Sequence, residues 1–92
     1  MAIRRRYLPR VGTVHDADKL NRSMRSSGWR KTSAMVSPRT GIIVYNWVSG
    51  DDVVVITTKS FGQPKRINRG SRVGQHRYYS QVISVKKGKR SK

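Results

Sequence analysis

The sequence predicts a small α+β domain in which one short N-terminal helix precedes an antiparallel β-sheet of about four strands. Apolar residues recur at helical spacing once, near the N-terminus, whereas β-branched residues alternate in separate runs after residue 29. At 92 residues the chain suffices for one compact domain and is too short for two. We divide it into a basic arm over residues 1–14, the domain over 15–85 and a basic tail over 86–92.

The arm carries no helical or strand periodicity, and Pro9 and Gly12 interrupt it. We expect both the arm and the basic tail to be flexible, and to become ordered only when they bind a partner.

The helix is predicted over residues 16–27. Asp16 is placed to cap its first turn, and the carboxylates of Asp16 and Asp18 offset the positive end of the helix dipole. Ala17, Leu20 and Met24 form one narrow apolar stripe, and the glycine at position 28 ends the helix.

The rest of the domain is predicted to be sheet. Turn residues near Pro38 and at Gly50-Asp51 separate the first three strands, and a long basic loop over residues 60–76 precedes the last strand. The predicted strands cover residues 29–36, 42–48, 53–58 and 77–85.

Strand alternation divides the apolar residues between two faces of the sheet. Tyr45 and Trp47 share one face, and two alternatives stay open for them: they are core residues, or they lie exposed and stack on nucleic-acid bases. Our predicted core uses the other face and consists of Leu20, Met24, Trp29, Ile42, Val44, Val53, Val55, Val82 and Ile83.

The charge distribution is the strongest functional signal. The chain has 21 Lys and Arg residues against four acids, which gives a formal net charge of +17. A small domain with this charge repels itself, and a polyanionic partner relieves the repulsion. Lys or Arg contacts with phosphates also release condensed counterions, so DNA or RNA is the expected partner.

The bases fall in three concentrations, the N-terminal arm, a central Gly-rich stretch and the tail, and aromatic residues on the predicted strands lie beside basic groups. Arg suits fixed bidentate contacts with phosphate, whereas Lys acts as a mobile point charge. The predicted nucleic-acid-binding residues are Arg4, Arg5, Arg6, Arg10, Arg22, Arg25, Arg30, Lys31, Tyr45, Trp47, Lys65, Arg66, Arg69, Arg72, Arg77, Tyr79, Lys86 and Lys87.

Other classes of protein fit the composition poorly. The chain has no Cys or Glu, and its two histidines, His15 and His76, are far apart in sequence. We therefore expect no enzyme, no metal site and no cofactor, and interpret His15 as a neighbour of the helix cap. The sequence has no apolar run of about 18 residues, so we expect no membrane partner and an intracellular or virion location.

Three functions stay open. The first is a nucleic-acid-binding protein that contacts phosphates largely without sequence specificity. The second is a structural component of a nucleoprotein assembly, because the composition is similar to that of small ribosomal proteins and basic viral packaging proteins. The third is a small basic inhibitor or adaptor that docks on an acidic protein surface. Exposed sheet edges would also allow a homo-oligomer.

Overall fold

The computed structural model describes residues 6–62, 65–66 and 76–89, in which one helix packs on one face of a five-stranded antiparallel sheet. The expected α+β class is confirmed, with five strands where about four were expected. The remaining pair of short strands forms a separate two-stranded ribbon. In chain order the elements are β1 (Val14–Asp16), α1 (Ala17–Ser26), β2 (Arg30–Ser37), β3 (Ile42–Ser49), β4 (Asp52–Ser60), β5 (Lys65–Arg66), β6 (His76–Arg77) and β7 (Tyr79–Lys89).

The order of strands across the sheet is β1-β7-β4-β3-β2. Strands β2, β3 and β4 form consecutive hairpins, and β7 then pairs with β4 on one side and with β1 on the other. Four gaps between strands span about 19 Å, and a ten-residue helix is about 15 Å long. Since α1 connects the two edge strands, it must cross one face of the sheet, and this places its apolar stripe on the core.

Local chemistry sets both ends of α1, as predicted. The Asp16 carboxylate accepts a hydrogen bond from the Asp18 backbone N–H at 3.0 Å and caps the first turn. At the other end, Gly28 has a φ of +100° and donates its N–H to the Arg25 carbonyl at 3.1 Å. Leu20 and Met24 are both buried, so the predicted apolar stripe faces the core.

The core lies between α1 and the face of the sheet that carries the aromatic side chains. Predictions for Leu20, Met24, Trp29 and Val82 are confirmed. The buried hydrophobic residues are Leu20, Met24, Trp29, Tyr45, Trp47, Val54, Ile56 and Val82.

The prediction of which face of β3 and β4 is buried is wrong. Ile42, Val44, Val53 and Val55 are only half-buried, because they point away from the helix. Both faces of these strands carry apolar side chains, and α1 covers the face with the larger rings. The prediction for Ile83 is also wrong: it lies at a bulge in β7, between the partners of Thr57 and Thr58, and is exposed.

The part of the arm that the structure describes belongs to the domain. The Trp29 indole Nε1–H donates to the Tyr7 carbonyl at 3.1 Å, and Leu8 packs against the core. Gly12 N–H donates to the Val82 carbonyl at 2.7 Å, and Val82 N–H donates to the Thr13 carbonyl at 2.9 Å. The predicted boundary at residue 14 therefore falls within the packed structure.

The predicted tail boundary also falls within an element. β7 continues to Lys89, which is opposite Asp52 in β4, so residues 86–89 are strand and not tail. Lys side chains can extend into solvent while their backbone completes a sheet. Residues 90–92 and residues 1–5 lie outside the described residues.

Most of the predicted loop over residues 60–76 lies outside the described residues, at positions 63–64 and 67–75. The described part includes β5, which pairs with β6: Lys65 is opposite Arg77 and Arg66 is opposite His76. Arg77, predicted to begin the last strand, lies in β6, and β7 begins at Tyr79. In the described parts of the chain no helix has the length and hydropathy needed to cross a membrane.

Two glycines in turns give a matched test of the hairpins. Gly41 has a φ of +69°, and an added Cβ would lie 2.8 Å from the Ser60 Oγ. Gly50 has a φ of +61°, with no atom within 4 Å of an added Cβ. We expect Gly50→Ala to lower the free energy of unfolding by about 1 kcal/mol through backbone strain alone. Gly41→Ala adds a steric clash of about 1–3 kcal/mol.

Urea unfolding of the two variants measures this difference. A lower midpoint for Gly41→Ala than for Gly50→Ala is the expected result. Equal midpoints would show that Ser60 moves aside without cost and that the contact between the β2–β3 turn and the end of β4 contributes nothing to stability.

Candidate nucleic-acid interface

Three bases predicted from the sequence converge on one groove between α1 and β2. The groove has a volume of about 400 Å³. We call it the helix groove and define it by the residues that line it: Asp18, Asn21, Arg22, Arg25 and Lys31.

Lys31 enters this groove because β2 has an irregularity between Lys31 and Ser33 and places Lys31 opposite Trp47. Its Nζ lies 3.2 Å from the Asn21 Oδ1. The same Nζ lies 5.5 Å from the ring centroid of Tyr45 and 5.8 Å from that of Trp47, within the range of cation–π attraction. The helix and two rings therefore hold the ammonium group at a fixed place in the groove.

The two arginines reach the groove from the exposed side of α1. Arg22 and Arg25 are three residues apart, which places them on neighbouring positions of one helix face. Arg25 lies in the last turn, where the negative end of the helix dipole stabilises a cation. Both side chains are exposed, so their guanidinium groups can reach a ligand without first losing a buried environment.

A second basic groove lies where the arm crosses the end of the sheet, with a volume of about 420 Å³. We call it the arm groove. The residues that line it are Arg6, Leu8, Trp29, Asp52, Val53, Lys87 and Gly88, and Lys89 adjoins it through Asp52.

Asp52 organises the bases of the arm groove. The Arg6 Nη1 donates to the Asp52 Oδ2 at 2.6 Å, and the Lys89 ammonium donates to the Asp52 Oδ1. The Arg6 guanidinium also lies over the Trp29 ring, with its Cζ 5.5 Å from the centroid. Asp52 thus fastens the arm to the end of β7.

Both grooves lie near the C-terminal end of α1. Arg25 in the last turn lines the helix groove. Tyr7, which follows Arg6 of the arm groove, donates its backbone N–H to the Ser27 Oγ at the end of the helix. The bases of both grooves therefore lie around one end of the helix, on the side of the sheet that α1 covers.

The structure separates the other predicted site residues from these grooves. Arg10 is exposed on the arm, and Tyr79 lines a third groove with Tyr7 and Lys19. Arg30 and Lys86 are opposite Val48 and Val55, which places them on the face of the sheet that α1 leaves open.

Some predicted site residues lie wholly or partly outside the described residues. Four lie wholly outside them: Arg4, Arg5, Arg69 and Arg72. For three more the structure describes only the backbone, in the β5–β6 ribbon: Lys65, Arg66 and Arg77.

Tyr45 and Trp47 are core residues, and the stacking alternative for them is wrong. Trp47 is 1% exposed and Tyr45 is 8% exposed, because both rings pack under α1 with their centroids 6.3 Å apart. A base cannot stack on a ring that has no accessible face. Their contribution to the site is indirect, since both rings contact Lys31.

Sequence reasoning missed Asn21, Asp52 and Lys89. Asn21 had a usable signal, since it is one residue from Arg22 and ten from Lys31 on elements joined by a short turn. Asp52 was interpreted as a turn residue and Lys89 as tail, because strand pairing between them was not visible from local composition.

The side chain of His15 has a structural partner. The His15 Nε2 lies 2.7 Å from the Thr13 Oγ1, next to the capped start of α1. Across the described side chains, no three acidic or histidine groups come together as metal ligands.

The pKa of the Asp52 carboxyl lies below its ordinary value, because Lys89 and Arg6 donate hydrogen bonds to its charged form. A lowered folded-state pKa stabilises the fold above the unfolded value of about 3.9, and this stabilisation is lost as the pH falls through the lowered value. Asp52→Asn removes this acid-dependent contribution. Urea midpoints measured from neutral pH down to acid will therefore fall less for Asp52→Asn than for the unmodified chain.

The same variant tests whether the ion pairs with Asp52 keep Arg6 and Lys89 from contacting an anionic partner. We expect Asp52→Asn to bind nucleic acid more tightly, since Arg6 and Lys89 are released. The slope of log K against log salt should become steeper by the equivalent of up to about two phosphate contacts. Asp51→Asn removes the same charge from the adjacent turn and is the matched control. Equal effects of the two variants would show that only net charge matters and that the ion pairs do not.

Comparison of the chain with protein-family models, with curated proteins and with solved structures found no match.

Proposed function

We propose that this protein binds DNA or RNA largely without sequence specificity, through phosphate contacts in the helix groove and the arm groove. One observation carries the proposal: Arg22, Arg25 and Lys31 converge in one groove of a chain whose bases exceed its acids by 17. If each of the four acids neutralised one base, 17 of the 21 bases would still be uncompensated.

The composition of the grooves favours phosphate contact over base stacking. Among the residues that line the two grooves, Trp29 is the aromatic residue, and it is buried beneath the Arg6 guanidinium. Contacts made by guanidinium and ammonium groups position a nucleic-acid backbone without reading its sequence. We therefore expect similar affinities for strands of different sequence.

Counterion release sets the expected salt dependence. Arg22, Arg25, Lys31 and Lys87 offer four contacts outside the Asp52 ion pairs, which predicts a slope of log K against log salt of about −3.6 on duplex DNA. Affinity should then fall about a hundredfold between roughly 50 and 200 mM salt.

Fluorescence anisotropy with labelled single-stranded DNA, duplex DNA and single-stranded RNA, each of two unrelated sequences, tests the proposal. Binding of all of them with a steep salt slope supports it. Tight binding to polyglutamate with weak binding to every nucleic acid would overturn it in favour of an adaptor for acidic proteins. A strong difference between the two sequences would overturn the claim of nonspecific binding.

A further inference from the structure

The edge strand β2 is open to solvent along most of its length. Among the described strands, β2 pairs with β3 on one side only and ends the sheet. Every residue from Thr32 to Ser37 is exposed, with Met35 69% exposed and Val36 61% exposed. An edge of this kind offers unpaired backbone N–H and C=O groups beside apolar side chains, which is a template for another strand.

The charge pattern leaves this edge unprotected. Natural sheets shield their edges with charged residues, prolines or very short strands. The opposite edge of this sheet follows that rule, since β1 has three residues and includes Asp16. In contrast, none of the 21 bases falls between Thr32 and Ser37, although bases surround the segment at Lys31 and Arg39.

We propose that two copies of this chain associate through antiparallel pairing of their β2 edges, so that their sheets join as one continuous sheet. The occupant we infer is a second copy because the uncharged segment is where two chains of +17 charge can approach with the least repulsion. Like strands paired antiparallel also form a closed twofold interface, in which each copy contributes the same residues.

This geometry places both helix grooves on one side of the joined sheet. The twofold axis of an antiparallel pair is perpendicular to the sheet, so the two α1 helices stay on the same face. Lys31 lies at the start of β2 in each copy, and the two Lys31 residues would be roughly 25 Å apart along the junction. A single nucleic-acid strand could then contact the grooves of both copies, which raises its affinity through effective concentration.

The expected association is weak without nucleic acid. Pairing of six-residue edges buries less surface than the roughly 1,200–2,000 Å² of a standard stable interface. We expect dimers at high protein concentration and raised salt, where repulsion between the copies is screened. A strand long enough to reach both grooves should shift the dimer to lower protein concentration.

Light scattering of the full chain at raised salt, without nucleic acid, gives the first test. The expected mass is that of two chains, and it falls to one chain for the double variant Met35→Lys/Val36→Lys. Val11→Lys, which adds one of the two charges at another site, is the control for added charge, since Val11 is 61% exposed and lies in a turn away from β2. One-chain mass for the unmodified protein at every concentration, or loss of the dimer in Val11→Lys, would overturn the proposal.

Disulfide trapping gives a second, independent test, because the chain contains no cysteine. Single variants Ser33→Cys, Ala34→Cys, Met35→Cys and Val36→Cys are oxidised with diamide and compared with Val11→Cys. Cross-linking should be fastest at the position nearest the twofold axis and should fall on either side of it. Equal, slow cross-linking at all five positions would contradict β2 pairing.

The result is separable from that of the proposed function. Dimer formation is measured without nucleic acid, and anisotropy is measured separately on Met35→Lys/Val36→Lys. An unmodified chain that stays monomeric yet binds labelled nucleic acid refutes the dimer alone, whereas an unmodified chain that forms the dimer but binds no nucleic acid refutes the proposed function alone.

Discussion

Replacing Arg22 and Arg25 together with Ala will weaken nucleic-acid binding roughly thirtyfold at about 0.15 M salt, the largest effect we expect on function. Each lost phosphate contact costs about fivefold at this salt on the counterion-release relation. The salt slope should become shallower by about 1.8, equally for all sequences. Both side chains are exposed on α1, so the fold should keep its stability. Anisotropy across a salt series measures both quantities.

The matched control is Arg39→Ala/Lys59→Ala, which removes the same charge from exposed positions outside both grooves. We expect this control to reduce affinity only a few-fold through the weaker long-range field. If the control weakens binding as much as Arg22→Ala/Arg25→Ala, the contacts are spread over the surface and the helix groove has no special role.

The largest effect on stability is expected for Trp47→Ala. Trp47 is fully buried under α1, and truncating a large buried aromatic typically costs about 3–5 kcal/mol. Small domains of this kind have a total stability near the low end of about 5–15 kcal/mol. We therefore expect a large population of unfolded chains near room temperature, seen in urea unfolding followed by circular dichroism.

Trp47→Phe keeps an aromatic ring at this position and removes the indole N–H, so it separates the effect of the ring's packing from that of the N–H. Among the described residues the Trp47 Nε1 is buried and has no hydrogen-bond partner, so replacing the indole by a phenyl ring loses no hydrogen bond. The cost should be clearly smaller than that of Trp47→Ala, and nucleic-acid affinity should be unchanged. A folded Trp47→Phe variant with lost affinity would show that binding depends on how the indole ring positions Lys31.

The helix and the central strands could be predicted because local chemistry determines them. Asp16, Leu20 and Met24 specify the start and the buried stripe of α1, and the two-residue turn Gly50-Asp51 specifies the β3–β4 hairpin. β1 could not be predicted, because three residues show no periodicity and its partner β7 lies more than sixty residues away in sequence.

The buried face of the sheet was beyond sequence reasoning for a physical reason. Val53 and Val55 alternate with Val54 and Ile56 along β4, so both faces offer β-branched side chains of similar size. The choice depends on which face α1 crosses, and that is a property of the chain path. The sequence therefore left two alternatives open for Tyr45 and Trp47, and their burial under α1 excludes the one in which they stack on bases.

The candidate site was predicted in its residue types and only partly in its arrangement. Arg22, Arg25 and Lys31 were identified from charge, and the fold brings them together. Arg30 was identified from its charge in the same way, but strand alternation places it on the opposite face from Lys31. Charge alone cannot distinguish these two neighbours, whereas the register of β2 does.

The pairing of the first strand with the last has a consequence for how the protein is made. Because β1 hydrogen-bonds to β7, and Gly12 and Thr13 exchange hydrogen bonds with Val82, the sheet cannot close until most of the chain has been synthesised. Contacts of such high sequence separation slow folding. Until then the basic N-terminal half is an open polycation, which would itself attract the RNA around the ribosome before the domain exists.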